Sequence, residues 1–86
     1  GYTFIGSNNS NEISIYPNPT NGNLTIDGVE FLDGYFELYI SDLYGKVVQV
    51  STSKTSLLDI SDFESGIYFI NILNNKSRHI FRVVKK

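Results

Sequence analysis

The sequence predicts an all-β domain, an antiparallel sandwich of about seven short strands, on three observations. Apolar residues recur in short alternating runs, as where Phe36, Leu38 and Ile40 are set against Tyr35, Glu37, Tyr39 and Ser41. Clusters of Gly, Pro, Asn, Asp and Ser interrupt these runs at intervals of roughly eight to twelve residues. No stretch carries the periodicity of an amphipathic helix. The longest apolar run, Gly66-Ile67-Tyr68-Phe69-Ile70-Asn71-Ile72-Leu73, is expected to be the central strand, buried by its neighbours on both sides.

Taken in order, Gly1 to Asn11 opens with Tyr2-Thr3-Phe4-Ile5 and passes into Gly6-Ser7-Asn8-Asn9-Ser10-Asn11. The latter has linker composition, and residues 1–11 are read as a linker or the tail of a preceding region. Tyr2 to Ile5 either belongs to that region or pairs as an extra edge strand. Glu12 to Tyr16 alternates, with Ile13 and Ile15 on one side, and stops at Pro17, which has no N–H to give a ladder. Pro17-Asn18-Pro19-Thr20-Asn21-Gly22 concentrates turn formers, with Pro19 setting φ and Gly22 open to a left-handed conformation. Leu24-Thr25-Ile26 is the second strand. Asp27 to Gly34 is a connection in which Val29 and Phe31 dip inward.

Tyr35 to Asp42 is the clearest alternating strand, with Phe36, Leu38 and Ile40 toward the core. Asp42-Leu43-Tyr44-Gly45 has the composition of a type I turn closed by a glycine bulge, and Lys46 to Thr52 returns as its hairpin partner, Val48 and Val50 alternating with Val47 and Gln49. Leu57 to Ile60 is a brief strand, and Ser61 to Gly66 has room for a single helical turn capped by Ser61 or Asp62. After the central run, Asn74-Asn75 suits a two-residue hairpin with left-handed Asn. A last strand follows from about Ser77 to Lys85, with Phe81 and Val83 favoured inside over Ile80 and Val84.

The 86 residues hold one core, and they contain no Cys, Met or Trp, so disulfides, thiol nucleophiles and Cys-based metal sites are excluded. No apolar run reaches the length of a membrane span, no secretion signal precedes Gly1, and the chain reads as the end of a longer protein. A net charge of -2 argues against phosphate-neutralising nucleic-acid binding. Its distribution is polarised: the nine acidic residues lie between Glu12 and Glu64, whereas Lys76, Arg78, Arg82, Lys85 and Lys86 supply five of the seven basic ones. A basic last strand either blunts an exposed sheet edge or docks a partner.

Catalytic chemistry finds little footing. His79 is the single histidine, in a predicted strand, with no Gly-x-Ser-x-Gly elbow anywhere. Asp59, Asp62 and Glu64 lack the alternating donors of a calcium loop and read as a solvated turn. No cofactor is implied. Tyr35, Tyr39 and Tyr44 leave open a carbohydrate-binding or adhesive module, since sugar faces stack on exposed rings, although half-buried sandwich tyrosines explain them as well. Sequons at Asn8, Asn23 and Asn75 mark surface turns.

Four segments punctuate the chain: Tyr16-Pro17-Asn18-Pro19-x-x-Gly22, Ser41-Asp42-Leu43-Tyr44-Gly45-Lys46-Val47-Val48, Ser65-Gly66-Ile67-Tyr68-Phe69, and the terminal Arg82-Val83-Val84-Lys85-Lys86. In order and spacing, residues 12–86 resemble the type A C-terminal sorting domain of the type IX secretion system of Bacteroidetes. The resemblance implies a seven-stranded immunoglobulin-like sandwich, linked covalently to an upstream cargo. Translocon components would recognise it in the periplasm and carry it through the outer membrane. A sortase-like signal peptidase would then cut in the linker before Glu12, leaving the cargo at the cell surface or secreted. By that resemblance Pro17, Asn18, Pro19, Gly22, Asp42, Gly45, Lys46, Gly66, Ile67 and Tyr68 match family motifs, and Arg82, Val83, Val84, Lys85 and Lys86 are the candidate translocon-docking residues.

Overall fold

Two antiparallel sheets divide the strands three and four. The computed structural model describes residues 13–29, 32, 34–75 and 77–86. The strands are β1 (Ser14–Tyr16), β2 (Asn23–Asp27), β3 (Phe36–Asp42), β4 (Val47–Ser51), β5 (Leu57–Asp59), β6 (Gly66–Asn74) and β7 (Arg78–Lys85). One sheet has the order β1-β2-β5 and the other β4-β3-β6-β7. This is an immunoglobulin-like arrangement in which the fourth strand pairs with the third at the edge of the larger sheet instead of with the fifth at the edge of the smaller. The Tyr2 to Ile5 segment, open by sequence to either a tail or an edge strand, lies outside the described residues, as do Glu12 and Phe31.

The core forms where the alternation requires it. Leu24, Ile26 and Leu58 from the smaller sheet face Leu38, Ile40, Ile70, Ile72 and Val83 from the larger, and Ile13, Val29, Leu32, Phe36 and Ile60 close the ends. Phe81 packs against this cluster and Val83 is 1% exposed, so β7 has the favoured parity, with Ile80 and Val84 outward and half-buried.

Four expectations are corrected. The β4 valines do not alternate in and out of the core: Gln49 lies opposite Ile40 and Ser51 opposite Leu38, which gives the inward side to polar residues and leaves Val48 41% and Val50 56% exposed. The register shift between Ile40 and Ser41 adds Val47 to the exposed set. Ser61 to Gly66 holds no helical turn, because Phe63 N–H closes a tight turn on Ile60 C=O at 3.0 Å and Phe63 tucks against the core. The final hairpin turns one residue later than Asn74-Asn75. Asn74 remains extended at the end of β6, its N–H donating to Ser77 C=O, while its side-chain oxygen accepts from Ser77 N–H and Oγ–H at 2.8 and 2.9 Å. No described non-glycine residue has positive φ. Lastly, β6 is central between β3 and β7 yet fully covered on its inner face alone: Ile70 and Ile72 are fully buried, whereas on the outer face Asn71 is buried but Ile67, Phe69 and Leu73 are half-buried.

Tyr68 locks the entry to β6. Its hydroxyl donates to Glu64 C=O at 2.8 Å, four residues upstream, and its ring lies 5.1 Å from that of Phe63 at a tilt of 48°. This is the geometry of the tyrosine corner of immunoglobulin-like sandwiches. Tyr68→Phe keeps the ring contact and loses the hydrogen bond, so urea unfolding is expected to show a loss of about 1 kcal/mol.

Candidate functional site: the pole where the motifs meet

The segments that punctuate the sequence are spread over the chain but meet at one end of the sandwich. Asp42, Tyr68 and Val83 form one row across β3, β6 and β7, and Gly66 lies opposite Lys85 at the next turn of the ladder. Thr20, in the loop between β1 and β2, forms an isolated parallel bridge with Lys85. The loop from Pro17 to Gly22, the hairpin from Asp42 to Lys46, the start of β6 and the end of β7 therefore share a pole.

The first and last of these are physically clamped. On the free edge of β7, the side-chain amide of Asn18 donates to Arg82 C=O at 2.8 Å and its oxygen accepts from Val84 N–H at 2.9 Å. Thr20 continues the ladder through its backbone, donating to Val84 C=O at 2.9 Å and accepting from Lys86 N–H at 2.8 Å. Side chain and backbone together act as a short extra strand on an edge that would otherwise offer open hydrogen-bonding groups. Pro17 and Pro19 bracket Asn18 and are exposed, each following a cis peptide bond.

Thr20, which the motif leaves unspecified, proves to be the hub. It is 1% exposed, its hydroxyl donates to Asn23 C=O at 2.8 Å, and its oxygen accepts from Gly22 N–H at 3.0 Å. A threonine two residues before a glycine in a loop is the available signal, being the spacing of a hydroxyl turn. Gly22 C=O in turn accepts from Ile60 N–H at 2.7 Å, tying the loop to the end of β5. Ser61, a candidate helix cap by sequence, has a different role: its backbone lies directly under Gly22.

The second motif is turn chemistry. Asp42 Oδ1 accepts from Tyr44 N–H and Lys46 N–H, both at 2.9 Å, Asp42 C=O accepts from Gly45 N–H at 3.0 Å, and Gly45 takes φ +86°. Lys46 is exposed beside this tip. Between the hairpin and the β5–β6 loop lies an open cleft of about 260 Å³, lined by Asp42, Leu43, Tyr44 and residues 64–68, Ile67 among them.

The terminal residues divide by parity. Val83 and Lys85 turn inward, the latter 9% exposed with its Nζ donating to Lys86 C=O at 3.0 Å, and facing Gly66, which has no side chain to obstruct it. Arg82 and Lys86 are exposed and Val84 is half-buried on the outer face. Of the five candidate docking residues, three are thus presented outward and two anchor them.

Electrostatic shifts lie at the margins of this pole. The Tyr16 hydroxyl donates to Asp27 Oδ2 at 2.7 Å, and this carboxylate raises the phenol pKa. Asp59 is held below the usual carboxylate range by hydrogen bonds from the Ser61 hydroxyl and N–H, the latter at 2.9 Å. His79 is half-buried at the opposite end, where burial lowers its pKa. Its Nε2 is 3.1 Å from Ser77 Oγ, a hydroxyl already engaged in closing the Asn74 turn. The exposed tyrosines separate: Tyr44, 91% exposed, is at the tip beyond β3 and Tyr35, 55% exposed, precedes its start, roughly 25 Å apart along the strand. Tyr39 is half-buried midway, so the three do not form one stacking platform. Among the described residues no three His, Asp or Glu side chains cluster as metal ligands, and no helix is long and apolar enough to cross a membrane.

The chain is an immunoglobulin-like sandwich whose loop motif clamps its own last strand, with its turn motifs gathered around that clamp. The chain belongs to the secretion system C-terminal sorting domain family, whose profile matches residues 14–86, and it carries the type IX secretion sorting signal. Among solved structures it is similar to PorZ of Porphyromonas gingivalis, described as an essential bacterial surface component of the type IX secretion system, with a TM-score of 0.66 and 22% identity. That similarity, over 94% of this chain and 13% of PorZ, concerns the fold. A comparison with curated proteins finds no match.

Proposed function

We propose that the chain directs a covalently linked upstream protein to type IX translocon components in the periplasm, through the terminal segment held at the motif pole. A sortase-like peptidase then cuts in the linker before Glu12, leaving the cargo at the cell surface or secreted. The observation that carries this reading is the clamp of Asn18 and Thr20 on Arg82, Val84 and Lys86. It spends the first family motif on presenting the last. In this arrangement Val83 and Lys85 are anchors, and Arg82, Val84 and Lys86 are the contact surface. Because β1 runs toward this pole, the chain enters from the other side, which keeps an attached cargo clear of the contact surface.

The test is export of a secreted reporter fused to residues 1–86 in a host with a working type IX system. The fusion is expected in the medium or on the surface, and the unfused reporter in the periplasm. The double variant Val84→Asp/Lys86→Glu is expected to lower export about 10-fold or more, as for loss of interface anchors. Its melting temperature, measured on the purified chain, is expected to stay close to the parent's. Normal export of the folded double variant assigns docking to another surface, and retention of the parent fusion refutes the sorting role.

A further inference from the structure

The run from Gly66 to Leu73 is more apolar than its place in the sandwich requires. Antiparallel strands with one buried face ordinarily place polar residues on the other, and β2 does so with Asn23, Thr25 and Asp27. On β6 the outward positions are Ile67, Phe69, Asn71 and Leu73. The register extends this surface across the whole larger sheet. Val84 lies beside Ile67, a second row runs Arg82, Phe69, Ser41 and Val47, a third Ile80, Asn71, Tyr39 and Val50, and a fourth Arg78, Leu73 and Glu37.

The apolar strip of this face is Ile67, Phe69, Ile80 and Val84 along β6 and β7, interrupted by the buried Asn71 and Ser41, and the face is basic along one border. Arg78 and Arg82 are exposed on either side of Ile80, and Glu37 is the one acid in these rows. Ile67, Phe69, Leu73, Ile80 and Val84 are half-buried, so the β6–β7 part of the surface is flat, whereas Val47 and Val50 stand exposed on β4. Four strands by four rows span on the order of 300 to 400 Å², about half of what each partner contributes to a stable dimer. A second copy seated here would therefore be held weakly. A partner that also grips the terminal segment on the same sheet gains both contacts at once.

We infer that the outer face of the four-stranded sheet seats a protein of the secretion machinery whose surface carries an apolar strip bordered by carboxylates, matching Ile67, Phe69 and Ile80 beside Arg78 and Arg82. This rests on the sorting role proposed above. The face completes the burial of β6 that the sandwich itself leaves half done, and it explains why the basic residues cluster on the last strand.

The experiment keeps the terminal segment intact and alters the face alone, in the fusion to residues 1–86. Ile67→Thr/Phe69→Thr keeps strand-forming residues at both positions and is expected to lower export about 10-fold or more. Arg78→Glu is expected to lower it similarly, and Arg78→Lys to retain most of it. Melting of each purified chain is measured alongside, and Thr25→Ser on the smaller sheet serves as a control expected to export normally. If the parent fusion is exported and folded Ile67→Thr/Phe69→Thr is exported equally well, the face is not a docking surface. If the parent fusion is itself retained, the sorting role fails first. Two further measurements on the purified chain oppose the inference directly: co-sedimentation with phosphatidylglycerol vesicles that the Thr variant abolishes assigns the face to a lipid surface, and a dimer that the same variant dissociates assigns it to a second copy.

Discussion

Replacing Gly22 with alanine is expected to destabilise the domain by about 3 kcal/mol, seen in urea or thermal unfolding. For a chain of this size that is a fall in melting temperature of roughly 12 to 24 °C. Gly22 has φ +143°, which L side chains rarely adopt, and a Cβ there would lie 2.5 Å from Ser61 Cα and 2.6 Å from Ser61 Cβ. Ser61 has little freedom to retreat. Its N–H is held by Asp59 Oδ1 at 2.9 Å, and the preceding Ile60 N–H is bonded to Gly22 C=O at 2.7 Å, so relieving the clash breaks the contact between the loop and the end of β5. Gly45 supplies the comparison. It also has positive φ, at +86°, but its Cβ would meet nothing within 4 Å, so Gly45→Ala is expected to cost only the conformational term of about 1 kcal/mol. Equal losses for the two variants refute the close approach as the reason for glycine at position 22.

Asn18→Ala is expected to free the end of β7 without unfolding the sandwich. The two bonds that Asn18 makes to Arg82 C=O and Val84 N–H are exposed, so water replaces them, and the net loss is about 1 to 2 kcal/mol. The sharper readout is local. Amide exchange at Val84 is expected to accelerate about 10-fold or more, while amides of Ile70 and Ile72, in the covered centre of β6, keep their parent rates. Asn18→Asp separates the two bonds. A carboxylate still accepts from Val84 N–H but sets an oxygen against Arg82 C=O, so the aspartate variant is expected to exchange nearly as fast as the alanine one. Parent-like exchange at Val84 in Asn18→Ala means that Thr20 alone holds the strand.

These two positions show how legible the site was. Turn composition marked Pro17 to Gly22 and Asp42 to Gly45, because Pro, Gly, Asn and Asp act on backbone conformation locally. At Asp42 that reading is complete: side chain and carbonyl close the turn, and Gly45 takes the left-handed conformation. At Gly22 it captured half, since the left-handed tendency is local but the approach of Ser61 is not. At Asn18 turn composition marks the loop but not the partner: the side chain bonds to Val84 N–H, 66 residues away.

Alternation likewise predicted the inward faces of β3 and β7, where Leu38, Ile40, Phe81 and Val83 lie as expected. It failed on β4, where a bulge and an edge position leave the valines outward. It also misjudged β6, because an unbroken apolar run does not distinguish a strand fully covered on both faces from one fully covered on a single face.

By itself the sequence determined the antiparallel sandwich, its strands and most of the places where the chain turns, since side-chain alternation and turn chemistry are properties of neighbouring residues. The tertiary structure alone decided that the four motifs share a pole, that Asn18 and Thr20 edge the last strand, and that Lys85 is buried opposite Gly66. Those facts depend on register between strands distant in the chain, and register is set by how two whole faces pack together, which no local pattern encodes.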